Sequence, residues 1–192
     1  MQYNFQKKSN IMDGGYRIRD QYKPHYITAT LVDWIDVFTR QNHRDCVIDS
    51  MKYCMQHRGM IVYAYVIMSN HIHMVLQSKD GKLSEVLRDF KKFTAKNILD
   101  TIQTEPESRR VWMLERFKKA TQTHSRNKNY QFWRFGNHPK EIYSSKFMWT
   151  KINYIHKNPV KAGLVRRAED YIYSSASNYI LNSGLIDVTL AT

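Results

Sequence analysis

At 192 residues, with 42% hydrophobic content and 13 Tyr, 8 Phe and 4 Trp, the chain can build one sizeable packed domain; only 7 Gly and 4 Pro exclude a fibrous or disordered one. Its 30 Lys and Arg stand against 17 Asp and Glu, a formal charge of +13 with pI ≈ 9.7. Such an excess repels itself in the compact state and points to a polyanionic partner, nucleic acid before any other, whereas an anionic membrane would want a dominant basic amphipathic helix that the sequence lacks.

Residues 1–24 are polar, carry Gly14-Gly15 and read as an N-terminal arm, without the apolar stretch of a secretion signal. "HYITATLVD", 25–33, is rich in β-branched and aromatic residues and predicts a first strand. From Cys46 to His57, apolar residues follow helical spacing, and Gly59 ends the pattern. Cys46 and Cys54 share one face of that helix too far apart to bridge, so reduced thiols in an intracellular protein are expected. "MIVYAYVIM", 60–68, predicts a second strand, and at half the length of a membrane span it is the longest apolar run. "HIHMVLQS", 71–78, predicts a third, with Ser69-Asn70 as the turn of a tight hairpin.

Leu83, Val86, Leu87, Phe90, Phe93, Ile98 and Ile102 mark the buried stripe of a helix over 83–103. Arg88, Lys92 and Lys96 line its opposite face, either as a solvated stripe or as phosphate contacts. Residues 104–129 are polar and weakly patterned. "NYQFWRF", 130–136, predicts a fourth strand. A last helix is expected from Ser145 to Lys157, stopping near Asn158-Pro159 because a residue before proline disfavours helical backbone. The order strand, helix, strand, strand, helix, strand predicts an α+β fold of the ferredoxin-like or RRM-like split βαβ type. That is an antiparallel four-stranded sheet with helices on one face, over residues 25–180. An additional helix and a C-terminal tail, 181–192, complete the chain.

Strand alternation puts His71 and His73 on one face and Ile72, Met74 and Leu76 on the other. Two imidazoles on one face are either a hydrogen-bonded core pair or half of a metal site. On the last helix, Tyr154 and Asn158 are four apart and share a face. Taken alone, the tyrosine reads as an amphipathic packing residue and the asparagine as a helix terminator.

Together these segments resemble the single-tyrosine HUH transposases, and within them the REP-associated tyrosine transposases. "MSNHIHMV" looks like the family's His-hydrophobe-His motif with its preceding Asn, and "FKKFTAK" like the basic helix after it. "QFWRFGNHPKEI" resembles the aromatic segment before the catalytic helix, "YIHKNPVKAGLV" the tyrosine motif, and "YSSASNY" the closing segment. The resemblance spans roughly residues 25–180. It implies that His71, His73 and Asn158 are metal ligands and Tyr154 the nucleophile, with Asn158 standing where the REP-associated branch has Asn and many insertion-sequence relatives have Gln. It also implies a metal-dependent single-stranded DNA transesterase that cleaves and rejoins DNA at hairpin-forming repeats through a 5′-phosphotyrosine. The cofactor would be Mg²⁺ or Mn²⁺. No nucleotide cofactor is expected, and no Gly-rich phosphate loop is present. The resemblance is compatible with a monomer or a homodimer; a cytoplasmic, nucleoid-associated protein is expected.

Substrate grip is expected from residues 116–140, which hold seven Lys or Arg and no Asp or Glu, interleaved with aromatic rings. Arg116, Lys118, Lys119, Arg126, Lys128, Trp133 and Arg134 are the candidates there, with Lys91, Lys92 and Lys96 as a second surface. His138 and His156 are expected to stand outside the metal site. The competing reading is a non-catalytic, sheet-based nucleic-acid-binding protein, a repeat-binding former transposase in which the histidines and Tyr154 only pack or stack.

Overall fold

A computed structural model describes residues 17–123 and 129–192. Among them the order is β1 (His25–Thr30), α1 (Gln41–His57), β2 (Met60–Ile67), β3 (His71–Ser78), α2 (Leu83–Thr104), α3 (Arg110–Ala120), β4 (Lys140–Glu141), α4 (Ser145–Lys161) and α5 (Ala176–Leu181). The strands form one antiparallel sheet in the order β2-β3-β1-β4, as expected of a split βαβ fold. The β2–β3 hairpin closes where the Met68 N–H donates to the His71 carbonyl at 2.9 Å.

Alternation decides what each face of the sheet does. Ile27 and Ala29 of β1, Leu31 just beyond it, and Ile72, Met74 and Leu76 of β3 are fully buried against α1 and α2, which contribute Val47, Met51, Phe90 and Ile98. The opposite face carries Tyr26, Ala64, Val66 and Val75, and α4 covers it with Met148, Ile152 and Ile155. A bulge between Val62 and Ala64 makes β2 serve both layers. Met60 and Val62 face α1 and α2, whereas Ala64 and Val66 face α4. The additional helix therefore makes a third layer, on the face away from the other two long helices.

Three expectations need correction. Residues 130–136 are not a strand: they make one isolated bridge, Leu31 to Trp133, and the fourth strand is Lys140–Glu141. Gln131, Phe132 and Trp133 are buried consecutively, which an alternating strand on a half-covered sheet does not do. The polar stretch after 104 contains α3, whose buried side is only Met113 and Phe117, one turn apart, too thin a stripe to announce a helix. Finally, α4 runs through Pro159 to Lys161. The proline sits in the last turns, its ring is buried, and the missing N–H removes one hydrogen bond there.

The chain after α5 packs back on the domain. Ile186 is buried, and the Thr189 N–H donates to the Val62 carbonyl at 2.9 Å. Most of the N-terminal arm, residues 1–16, lies outside the described residues.

Candidate active site

The β1–β3 register places Thr28 opposite His73 and Thr30 opposite His71. His73 is 6% exposed, and its Nδ1 lies 2.8 Å from the Tyr26 hydroxyl and 2.9 Å from Thr28 Oγ1. His71 uses its own Nδ1 for Asn70 Oδ1, at 2.7 Å. The two ring centroids are 4.7 Å apart. Burial, then the neighbouring His71 and Lys151, push the His73 imidazole down to about 3, and burial lowers His71 as well. Both rings are therefore neutral at physiological pH.

From the facing helix, Tyr154 brings its ring to 5.3 Å from that of His73 and 6.1 Å from that of Tyr26, edge-on to each. Packing of Ile152 and Ile155 against the sheet fixes this face of α4, and the Ser144 hydroxyl accepts from the Phe147 N–H at 3.2 Å to cap its start. Two ammonium groups flank the phenol ring: Lys151 Nζ stands 6.0 Å and Lys161 Nζ 5.8 Å from its centroid. Lys151 also lies 4.8 Å over Tyr26. Tyr154 is 41% exposed and lines a cavity of about 400 Å³ together with Tyr26, Thr28, His73 and Lys140. No carboxylate lines that cavity among the described residues.

Asn158 lies one turn beyond Tyr154, and its Nδ2 donates to the Tyr154 carbonyl at 2.7 Å. No hydrogen bond joins it to either histidine. Among the described residues no group of three or more His, Cys, Asp or Glu could hold a metal ion. A divalent cation here would thus depend on two imidazoles and an amide. The donors fit that role: each ring bonds through Nδ1 and leaves Nε2, and Asn158 spends its Nδ2 and leaves Oδ1. His156, on the far side of α4, is tied to Ser175 Oγ at 2.9 Å instead, and burial holds its pKa down to about 4.

The expected DNA-contacting residues divide. Lys91, Lys92, Trp133 and Arg134 line a second cavity of about 500 Å³ between α2 and the segment 130–137. Lys91 donates to Asn137 Oδ1 at 2.8 Å, and burial lowers its pKa to about 8. Trp133, expected to stack on bases, is only 7% exposed; its ring packs on Phe38 and Phe132, and its N–H donates to the Lys91 carbonyl at 3.0 Å. Lys96 is exposed farther along α2, and Arg116, Lys118 and Lys119 are exposed on α3. Arg116 pairs with Asp33 at 3.7 Å. Arg126 and Lys128 lie outside the described residues.

Several residues at the site escaped sequence reasoning. Tyr26 and Thr28 carried a usable signal, because polar positions 26, 28 and 30 alternate on a strand whose other face is apolar. Trp34 and Lys151 carried none, since their roles depend on a loop and on helix placement.

A family model described as transposase, IS200-like, matches residues 20–158. The chain belongs to the IS200-like transposase family. The matched span includes both histidines and Tyr154 and ends on Asn158. A solved structure of a REP-associated tyrosine transposase bound to a REP hairpin shares the fold of this transposase family member, with a TM-score of 0.61 over 92% of this chain and 96% of that one at 16% identity. A search of curated proteins gave no match. No helix among the described residues is long and apolar enough to cross a membrane.

Proposed function

We propose that this transposase family member is a metal-dependent single-stranded DNA transesterase, cleaving and rejoining strands at hairpin-forming repeats. The observation that carries the reading is the approach of Tyr154 to His73 at the wall of a cavity that no carboxylate lines among the described residues. Tyr154 Oη attacks the scissile phosphorus; a P–Oη bond forms and the P–O3′ bond breaks. The phenol loses its proton, the departing 3′-oxygen gains one, and the 5′-phosphate remains on the protein. The new phosphodiester retains the energy of the old one, so rejoining needs no nucleotide cofactor. His71 and His73 through Nε2, with Asn158 Oδ1, would hold Mg²⁺ or Mn²⁺, which supplies positive charge that neutralises and orients the phosphate. The donor set is neutral, so none of that charge is cancelled by a ligand.

Lys151, Lys161 and Lys140 keep the field around the phenol positive, which favours an incoming phosphate. Lys91, Lys92, Lys96 and Arg134, with Arg116, Lys118, Lys119, Arg126 and Lys128, are assigned to the DNA backbone. The partner is single-stranded or hairpin DNA, the protein acts as a monomer or homodimer, and it works in the cytoplasm at the nucleoid. The test is a hairpin oligonucleotide with single-stranded flanks, incubated with Mg²⁺ or Mn²⁺ and run in SDS. A covalent adduct is expected, and Tyr154→Phe removes it while binding persists. An adduct that survives that substitution overturns the assignment, and binding without an adduct on any hairpin or metal favours the non-catalytic repeat-binding protein.

A further inference from the structure

Asp33 and Trp34 are consecutive residues in the left-handed region, with φ of 50° and 55°. That region is unfavourable for a bulky side chain and persists only where surrounding bonds over-determine it. Here they do. The Trp34 N–H donates to the Leu31 carbonyl at 3.2 Å, and the Trp34 carbonyl accepts from Asn70 Nδ2, also at 3.2 Å. The other end of the Asn70 amide bonds to His71 Nδ1 at 2.7 Å. One side chain therefore fixes the position of Trp34 and the orientation of His71 together.

The strained conformation brings the core little. Val32 and Ile35, on either side, are 4% and 3% exposed, whereas the Trp34 indole is 54% exposed. The Arg134 guanidinium lies 5.3 Å from its ring centroid, and the His71 ring meets it at 6.3 Å and 77°. The indole is braced by a cation and by the imidazole, yet more than half of it stays open. It also lines the cavity of about 400 Å³ that holds His73 and Tyr154. A large flat ring, fixed beside a phosphate-sized site and left uncovered, has the properties of a stacking surface.

We propose that Trp34 is the platform on which an unpaired nucleobase stacks beside the scissile phosphate at the His71–His73 site, with Arg134 bracing the ring. The inference rests on the single-stranded DNA reading above and names the part of the substrate that this wall of the cavity recognises. Every base offers a π-face, so the platform tolerates sequence and selects for an unpaired base. It also fixes where the strand enters: a base seated on Trp34 places its flanking phosphate toward the histidine pair and within the reach of Tyr154.

The test uses the full chain and two strands of equal length, a short oligo(dT) and an abasic deoxyribose-phosphate strand, which present the same phosphates with and without bases. Trp34→Ala is expected to weaken oligo(dT) binding about 5- to 150-fold, the range of one base–aromatic stack, and to leave the abasic strand about unchanged. Trp34→Phe recovers most of the loss, as a fold defect would not. Equal loss on both strands, or no loss on oligo(dT), overturns the platform. The adduct assay is independent of this ratio. A Tyr154-dependent adduct with no base selectivity at Trp34 sinks the platform and leaves cleavage standing; selectivity without any adduct sinks cleavage and leaves the platform.

Discussion

The two faces of the sheet come from the same strands and do opposite things. On one, Ile27, Ala29, Ile72 and Met74 are fully buried beneath α1 and α2 in an apolar cluster. On the other, Thr28, His71 and His73 alternate with those same residues, and α4 packs over Tyr26, Ala64, Val66 and Val75 while leaving one end open. The uncovered end is the cavity. The first face is stabilised by burial; the second gives up part of that burial and leaves Tyr154 41% exposed at the cavity wall. Folding and chemistry are thus separated by one residue of register, since a slip of one would exchange the two sets.

That separation is broken or sharpened by substitution on each face. The largest effect is expected from Tyr154→Phe, which lowers adduct formation to background in the SDS assay. Its unfolding free energy should change by no more than about 1 kcal/mol, because the ring is 41% exposed and the substitution removes only the hydroxyl and its contact with Tyr26. A large loss of stability there would mean that the site face also carries the fold. The reverse experiment is Phe90→Ala, on the other face, where the ring is fully buried. Cavity formation costs about 3–5 kcal/mol, or roughly 6–20 °C in Tm for a chain of this size. Below its melting temperature that variant should still form the adduct.

How much of this was legible depended on whether a signal was local. His71, His73 and the apolar residues between and after them show their two faces by alternation alone. Tyr154 and Asn158 are readable as a helix face because four residues make about one turn. The bulge after Val62 was not readable, since a run of apolar residues looks alike whichever face each one takes. Nor was the role of Gln131, Phe132 and Trp133, whose burial comes from Phe38 and Phe117, far away in sequence. The partners of His73 required the β1–β3 register, and Trp34 required a backbone conformation that its residue type argues against.

A smaller effect distinguishes the buried end of the site face from its open end. His156, on the buried side of α4, has its pKa held down to about 4 by burial, against an ordinary 6.5. Between those values the unfolded chain binds the proton and the folded one does not. Stability is therefore complete above about pH 6.5 and falls as the pH drops toward 4, with a slope of up to about 1.4 kcal/mol per pH unit from this group. His156→Gln keeps a donor for Ser175 Oγ and removes the titration. Urea unfolding followed across that window should show a shallower acid slope by about that amount, while the neutral-pH stability changes less. An unchanged slope would mean that other buried imidazoles, His43 and His73 among them, carry the acid sensitivity.

The smallest effect belongs to the surface beyond both faces. Lys92 is exposed on α2 and lines the cavity shared with Arg134, and the proposed function assigns its ammonium to a phosphate. Lys92→Ala should leave stability within about 0.5 kcal/mol of the parent. Its effect should appear in binding to single-stranded DNA as a function of salt. Each phosphate contact to a single strand contributes about 0.7 to the slope of log affinity against log salt, so the variant's slope should flatten by about that much, with no change in base selectivity. Lys96→Ala, one turn farther along α2 and outside the cavity, gives the matched comparison. If both lysines flatten the slope equally, the strand follows the whole helix. If Lys92 alone does so, the strand turns into the cavity toward Arg134, which is also the side on which Trp34 stands.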